Sequence, residues 1–233
     1  MKFVKANDIK KLLEDSNIYD FKGQIVMSLN NISVTIKQND IIGNALQEWL
    51  CAFLRKNDIY FRPALGQTFP DFYLSEENNR NLCEMKTYYA SRQPAFDIAN
   101  FWSYIDSLRE HPYRLDSDYL IFAYANDQDG NIGIKNIWCK KVWEITGPAQ
   151  DYELKCQRKK GQIVNIRPAN WKENRGTLKP FNSKEELLVA LYKTYLHTNN
   201  QVQVSKEWLN TVISGYKEFT GVDMSSMINN LIR

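Results

Sequence analysis

The chain has 233 residues, of which 43% are hydrophobic and 24% charged, and its formal net charge is +3. This composition is typical of a globular protein and excludes a mainly disordered one. No apolar run approaches the roughly 18 residues that a membrane helix needs, and the N-terminus does not resemble a signal peptide. Four widely spaced cysteines without a CxxC pair favour reduced core thiols. We therefore expect a cytoplasmic protein without membrane contact.

Helices and strands alternate along the first part of the chain. Residues 7–15 predict a short helix that Asn7 or Asp8 caps, and "GQIVMSLNNISVTIK" predicts a hairpin that turns at Asn30–Asn31. "IIGNALQEWLCAFLRK" predicts a longer helix capped by Asp40. The residues expected on its apolar face are Ile42, Leu46, Trp49, Leu50 and Phe53.

The middle of the chain predicts the centre of a sheet. "DIYFRP" is a short extended piece, and "TFPDFYLSEENNRNLCEMKTYY" is typical of a strand, a turn and a second strand. "FDIANFWSYIDSLRE" has apolar residues at helical spacing. "DYLIFAYA" is continuously apolar, which favours a buried central strand.

The last part of the chain predicts further strands and then helices. "IKNIWCKKVWEI", "YELKCQRK" and "QIVNIRPANW" are strand-like, with "KKG" as a turn. "FNSKEELLVALYKTYL" begins with a capping box that pairs Ser183 with Glu186, and "SKEWLNTVISGYKEFTG" predicts a helix that ends at Gly221. The elements together predict an α/β fold with a mixed central β-sheet flanked by helices, as a single domain over residues 1–233.

Positive charge is concentrated in one segment. Residues 135–179 carry eleven Lys or Arg and four Asp or Glu, whereas the rest of the chain is slightly acidic. Such a segment is typical of a surface that binds a polyanion. The alternative is a solvated, charge-rich group of strands.

Two carboxylates and an ammonium interrupt the apolar strands in the middle of the chain. Side chains alternate along a strand, so Glu84 and Lys86 point to the same face. A hairpin closed over "SEENNRN" would bring Asp71 beside that pair. Two carboxylates suit a hard cation such as Mg²⁺, and the lysine could orient or deprotonate a water held by the cation.

A less specific interpretation of these residues stays open. Glu84 and Lys86 could form a solvent-facing pair on an amphipathic strand. Glu48, near the apolar side of the preceding helix, favours a site, because a carboxylate there needs a cation or water beside it. It could equally lie at the polar boundary of that helix.

"PDFYL…CEMK" resembles the catalytic core of the PD-(D/E)xK nucleases, and the order helix, strand, strand, helix fits them too. The resemblance implies that Asp71 and Glu84 bind Mg²⁺, that Lys86 serves the attacking water, and that Glu48 assists. It also implies a restriction-endonuclease-like fold with a catalytic core at about residues 40–125. A DNA-contacting segment would follow at about 135–180, and C-terminal helices at about 183–233.

A narrower resemblance links the chain to type II restriction endonucleases of the NgoBV-like group. It rests on "GNALQEWL", "TFPDFYL", "DYLIF", "IWCKKVWEI" and "VNIRP". It implies Mg²⁺-dependent hydrolysis of double-stranded DNA at a short palindrome of the GGNNCC kind, leaving a 5′-phosphate and a 3′-hydroxyl. One such site cuts one strand, so we expect a homodimer. The alternatives are a repair or junction-resolving nuclease of the same superfamily, or a non-catalytic DNA-binding protein of this fold.

Several residues have side chains suited to DNA. Arg92 and Gln93 follow the motif in a predicted loop and match the chemistry of guanine and adenine edges, although both are also ordinary loop residues. Gln67 and Thr68 precede the motif and could touch a groove. The candidates in the basic segment are Lys155, Arg158, Lys159, Lys160, Asn165, Arg167 and Lys172.

Overall fold

The computed structural model describes residues 1–64, 66, 68–172 and 178–232 and divides into two units. Unit 1 comprises Met1–Pro94 and Asp118–Lys140, and unit 2 comprises Ala95–Ser117 and Lys141–Arg233. None of the helices in these described ranges has the length and apolar character to cross a bilayer. The single domain over residues 1–233 stays a prediction.

Helices and strands follow one another along the described residues. The helices are α1 (Ala6–Asp15), α2 (Ile42–Lys56), α3 (Phe101–Glu110), α4 (Lys184–Asn199), α5 (Val202–Thr220) and α6 (Ser225–Ile232). The first six strands are β1 (Lys22–Gly23), β2 (Ile25–Leu29), β3 (Ile32–Ile36), β4 (Arg62–Pro63), β5 (Phe72–Tyr73) and β6 (Leu82–Tyr89). The remaining strands are β7 (Ala99–Asn100), β8 (Asp118–Asn126), β9 (Ile132–Lys141), β10 (Cys156–Lys159) and β11 (Gln162–Ile166).

A mixed six-stranded sheet in the order β1-β9-β8-β6-β5-β4 organises unit 1. β8 lies parallel to β6, whereas β4, β5 and β6 are antiparallel neighbours. The prediction of a mixed central sheet is confirmed. β8 contains the run predicted as a central strand, and most of its side chains are buried, as expected of a strand covered on both faces.

Helices α1 and α2 pack against this sheet and close the core of unit 1. α1 contributes Ile9 and Leu13, and α2 contributes Leu50 and Leu54, all almost fully buried. From the sheet, the core takes Cys83, Met85, Leu120 and Phe122. Cys83 and Met85 therefore lie on the core side of β6, which leaves the intervening Glu84 on the other side.

The start and the buried face of α2 differ from the sequence prediction. Asp40 lies in a 3₁₀ turn (Asn39–Ile41), so the residue at the cap position is Ile41 and no side chain caps the helix. Trp49 is 39% exposed, whereas Leu50 and Leu54 are buried. Of the predicted face, Ile42 and Leu50 are buried and Leu46 and Phe53 pack against the core, so only Trp49 departs from the prediction. A side chain at Gly43 would meet the Thr87 hydroxyl at 3.0 Å, so α2 lies close against β6.

The hairpin of residues 25–36 forms as predicted. β2 and β3 pair over their full length, and Asn30 and Asn31 take positive φ angles of 46° and 62°. Asparagine tolerates this left-handed conformation in a two-residue turn. The helix α1 begins one residue early, at Ala6, and the Asp8 carboxylate accepts from the Lys5 backbone N–H at 2.9 Å.

Unit 2 contains the antiparallel sheet β10-β11-β7 and helices α3 to α6. The predicted helix over residues 96–110 begins only at Phe101, because β7 pairs with β11 and Asn100 caps the helix by accepting from Ser103 N–H at 3.1 Å. Ser183 caps α4 as predicted. The helix α5 ends at Gly221, which has a φ of 74°. Sequence reasoning gave no separate prediction of α6.

We expect Trp208→Phe to lower the free energy of unfolding by about 2–3 kcal/mol. Trp208 is 1% exposed, and its indole N–H donates to the Ile105 carbonyl at 2.8 Å. The substitution leaves a small cavity and removes the indole N–H that donates to the buried Ile105 carbonyl. Urea denaturation of the purified protein measures the loss.

Trp102→Phe provides the matched control within the same unit. Trp102 is 39% exposed, and its indole donates to Ile163 at a longer 3.3 Å. Replacing Trp102 by Phe should lower the free energy of unfolding by less than about 1 kcal/mol, because water can take the place of the partly exposed indole. Equal losses for the two variants would contradict the assignment of Trp208 to the core.

Candidate active site

The pairing of β5 with β6 brings the predicted catalytic residues together. Phe72 lies opposite Cys83, and Tyr73 lies opposite Leu82. The same register, continued by one residue, places Asp71 opposite Glu84. Residues directly opposite each other in an antiparallel pair point to the same face. The sheet therefore brings the two carboxylates together on one face, on which Lys86 also lies.

Four hydrogen bonds hold this cluster. The Met85 backbone N–H donates to Asp71 Oδ2 at 2.7 Å, and the Asp71 N–H donates to Glu84 Oε2 at 3.2 Å. Lys86 Nζ donates to Glu84 Oε1 at 2.8 Å. The fourth bond comes from the helix α2, where Gln47 Nε2 donates to Asp71 Oδ1 at 3.1 Å. All of these residues belong to unit 1.

Burial makes both carboxyl groups weaker acids than usual. The pKa of Asp71 is raised by burial, against the opposing effects of the Met85 N–H, the Lys86 charge and the Gln47 amide. The pKa of Glu84 is also raised by burial and by the neighbouring Asp71, while Lys86 lowers it. Glu84 is only 8% exposed. A further positive charge between the two carboxylates would offset this cost and favour their ionised forms.

The donor set fits a magnesium ion held largely by water. Within the described ranges, no group of three or more His, Cys, Asp or Glu side chains could hold a metal together. Mg²⁺ is usually bound through one or two carboxylates and keeps several waters, so two carboxylates suffice. Asp71 and Glu84 offer hard oxygen donors whose remaining lone pairs are available for this role.

The helix α2 supplies a neighbour that sequence reasoning missed. Gln47, not Glu48, contacts Asp71, because Gln47 shares the inward row of α2 with Gly43, Leu50 and Leu54. That spacing was the available signal. Glu48 is exposed and lines a cavity on another side of α2. An assisting role for Glu48 in catalysis stays a prediction.

The DNA-contact candidates of unit 1 lie in segments close in sequence to the Asp71, Glu84 and Lys86 cluster. β6 ends at Tyr89, and the loop that follows it begins at Ala90. Arg92 and Gln93 are exposed on that loop, and the Arg92 guanidinium lies 6.0 Å from the Tyr89 ring centre. Thr68 is exposed as well. Gln67 lies outside the described residues.

In unit 2, five of the seven candidates are exposed. These are Lys155, Arg158, Lys159, Lys160 and Lys172, and Lys160 lies in the turn between β10 and β11 with a φ of 51°. Arg158, Arg167 and Asn165 also contact neighbouring side chains within the unit. Arg158 lies 3.9 Å from the centre of the Tyr152 ring and pairs with Asp151, Arg167 pairs with Asp97 at 3.1 Å, and Asn165 bonds Gln157. Their roles at DNA stay predictions.

Comparisons with known proteins identify the family of this chain. The family model for the NgoBV restriction endonuclease matches residues 3–232. The chain is 36% identical over 211 residues to the type II restriction enzyme NlaIV of Neisseria lactamica, covering 89% of this chain and 87% of that protein. It is 37% identical over 158 residues to the type II restriction enzyme NgoBV of Neisseria gonorrhoeae, covering 66% of this chain and 89% of that protein.

A solved structure shows the same similarity in three dimensions. The NlaIV restriction endonuclease structure matches with a TM-score of 0.90 and 35% sequence identity, over 97% of this chain and 93% of its own. The predicted fold class is thereby confirmed. The family model spans the chain nearly from end to end and includes the Asp71, Glu84 and Lys86 cluster. This chain therefore belongs to the NgoBV restriction endonuclease family.

Proposed function

We propose that the chain is a Mg²⁺-dependent type II restriction endonuclease that hydrolyses phosphodiester bonds of double-stranded DNA at a short palindromic site. The observation that carries the proposal is the Asp71–Glu84–Lys86 cluster, with Lys86 Nζ 2.8 Å from Glu84 Oε1. The names of the relatives, type II restriction enzymes, support the same activity. The free thiols of all four cysteines fit a reducing cytoplasm as the place of action.

Asp71 and Glu84 would hold the Mg²⁺, which supplies positive charge at the reacting phosphate and a more acidic water. Lys86 would donate a hydrogen bond to the attacking water and remain beside the phosphate while negative charge builds on its oxygens. The attacking water gives up a proton to the surrounding solvent, and its oxygen forms a bond to phosphorus as the bond between phosphorus and the 3′ oxygen breaks. That oxygen takes up a proton, which leaves a 5′-phosphate and a 3′-hydroxyl.

The other residues of the cluster would hold Asp71 in place. The Met85 N–H and the Gln47 amide donate to different oxygens of its carboxylate, which fixes the plane of that carboxylate. A metal-binding carboxylate held in this way loses less freedom when the ion arrives. Gln47 is therefore a positioning residue in this proposal, acting through Asp71.

DNA binding would come mainly from other residues. We propose that the catalytic core at about residues 40–125 cleaves the duplex while the basic segment at about 135–180 contacts its phosphates. Arg92 and Gln93 are the candidates for base contacts. A palindrome of the GGNNCC kind presents the same half-site twice, so two copies of the chain related by a two-fold axis would match it.

We expect Asp71→Ala, Glu84→Ala and Lys86→Ala each to lower DNA cleavage by a factor of about 10³ or more while leaving DNA binding largely intact. In this proposal Asp71 and Glu84 bind the ion and Lys86 contacts the water, whereas the affinity for DNA comes mainly from phosphate contacts made by other residues. Plasmid cleavage with and without Mg²⁺ measures the effect, and discrete fragments identify a site-specific enzyme.

Glu76→Ala is the matched control for the carboxylate variants. Glu76 is an exposed carboxylate in the connection between β5 and β6, outside the cluster. The Glu76→Ala variant should cleave DNA at the wild-type rate. Near-normal cleavage by a folded Asp71, Glu84 or Lys86 variant would remove that residue from the mechanism. DNA cleavage in the absence of any divalent ion would contradict the role of a metal in the reaction.

Gln47→Leu should reduce cleavage by about 10- to 100-fold and raise the Mg²⁺ concentration needed for half-maximal rate. The substitution keeps the size of the side chain and removes the donor to Asp71. Glu48→Leu, one position along the same helix, is expected to cost less. A Mg²⁺ titration of both variants provides the measurement. An unchanged Mg²⁺ requirement in Gln47→Leu would contradict a positioning role.

Replacing Lys155, Lys159 and Lys160 together by alanine should weaken binding to all DNA sequences to a similar extent. If each lysine neutralises one phosphate, the slope of log K against log salt should flatten by about 3. Lys2, Lys5 and Lys11 are exposed lysines near the N-terminus, and their triple alanine variant is the control of equal charge. Equal affinities and slopes for the two triple variants would identify the basic segment as a solvated face.

A further inference from the structure

One face of the β2–β3 hairpin consists only of apolar side chains. The cross-strand pairs on this face are Ile25 with Ile36, Met27 with Val34, and Leu29 with Ile32. The opposite face pairs Val26 with Thr35 and Ser28 with Ser33, whose hydroxyls lie 2.8 Å apart. Alternation along the strands therefore separates an apolar face from a mostly polar one. We call the first of these the hairpin face.

The outer half of the hairpin face is exposed to solvent. Leu29 is 69% exposed, Ile32 67%, Met27 54% and Val34 48%. Single exposed apolar residues need no explanation, but a contiguous exposed apolar patch marks an interaction site. A two-stranded hairpin is also only marginally stable by itself in water. The hairpin face is therefore suited to burial against another surface.

The hairpin face continues into a groove beside α2. Ile25, at the base of the hairpin, also lines a cavity of about 410 Å³ whose other wall includes Leu46 and Trp49 of α2. Phe21 borders the same cavity and is 63% exposed, and Trp49 is 39% exposed. The hairpin and the groove thus form one continuous apolar surface within unit 1, named here the hairpin–groove surface.

The scarcity of charge on this surface disfavours DNA as its occupant and favours a second copy. Residues 23–36 contain no Lys, Arg, Asp or Glu, whereas a DNA contact needs positive charge. The charged residues lining the groove are Lys22 and Glu48, which have opposite signs. Lys22 Nζ lies 3.4 Å from Asp127 Oδ2 of the same chain, so its charge is already paired. An apolar surface without excess charge of either sign is complementary in polarity to a second copy of itself, as a two-fold interface requires.

We propose that the hairpin–groove surface packs against the same surface of a second copy of this chain. The inference rests on the proposed function, which needs two sites for one double-strand break, and it names the surface that joins them. α2 contributes Trp49 to the groove and Gln47 to Asp71. The contact between copies thus holds the helix that positions the catalytic carboxylate.

The first experiment measures self-association of the purified protein by sedimentation velocity without DNA. The wild type should sediment as a dimer of 27.3 kDa chains. The double variant Leu29→Ser with Ile32→Ser should raise the Kd of self-association by at least about 30-fold, since two apolar side chains that the contact would bury are removed. Circular dichroism should be unchanged, because these side chains are exposed in the single chain.

Two further variants make the result specific. Trp49→Lys tests the groove from a different element and should also shift the protein to monomer. Val26→Ser removes an apolar side chain of similar exposure, 55%, from the opposite face of the hairpin, and this variant should remain a dimer. A monomeric wild type, or a double variant and Trp49→Lys that both remain dimers, overturns the proposal.

Plasmid cleavage separates this inference from the proposed function. A monomeric Leu29→Ser with Ile32→Ser variant should accumulate nicked circles, because each encounter then cuts one strand. If the wild type cleaves DNA at discrete sites and the double variant remains dimeric, the proposed dimer surface is rejected and the proposed function is retained. If the wild type does not cleave DNA but the double variant becomes monomeric, the proposed function is rejected and the proposed dimer surface is retained.

Discussion

The register between β5 and β6 is the constraint on which the candidate site depends. Phe72 opposite Cys83 fixes Asp71 opposite Glu84. A shift of one residue would turn Glu84 and Lys86 toward the core and bring Cys83 and Met85 out of it. The buried apolar side chains of β6 oppose that shift, because they pack against Leu120 and Phe122 of the neighbouring strand. The packing of the core thus determines which atoms the site presents.

The same arrangement places two partly desolvated carboxylates side by side, which is unfavourable without compensation. Burial raises the pKa of both Asp71 and Glu84, and the backbone N–H groups and Lys86 offset this only in part. Like charges that a fold holds together are typical of sites built for a cation. The stability of the fold and the affinity for an ion are therefore linked, since an ion at this position would also stabilise the folded chain.

Local sequence patterns predicted that Asp71, Glu84 and Lys86 lie together, because the information for this juxtaposition is local. Alternation placed Glu84 and Lys86 on one face, and the polar turn between two apolar runs predicted the hairpin that adds Asp71. The contribution of α2 was harder to predict. The difference between Gln47 and Glu48 is a rotation of about 100° around the helix axis, which depends on how closely Gly43 lets α2 approach β6. Likewise, the late start of α3 depends on the pairing of β7 with β11, two strands far apart in sequence.

The order of the segments along the chain has a consequence for synthesis. Unit 1 is discontinuous, because residues 95–117 belong to unit 2 and the chain returns to unit 1 only at Asp118. A nascent chain that has reached residue 95 already contains Asp71, Glu84 and Lys86, but it still lacks β8, the parallel neighbour of the strand that carries Glu84 and Lys86. The strand that carries two of the candidate catalytic residues therefore gains its parallel neighbour from a segment translated some thirty residues later. Contacts of this separation form slowly compared with local ones, so β6 pairs with β8 only after the ribosome has passed the middle of the chain.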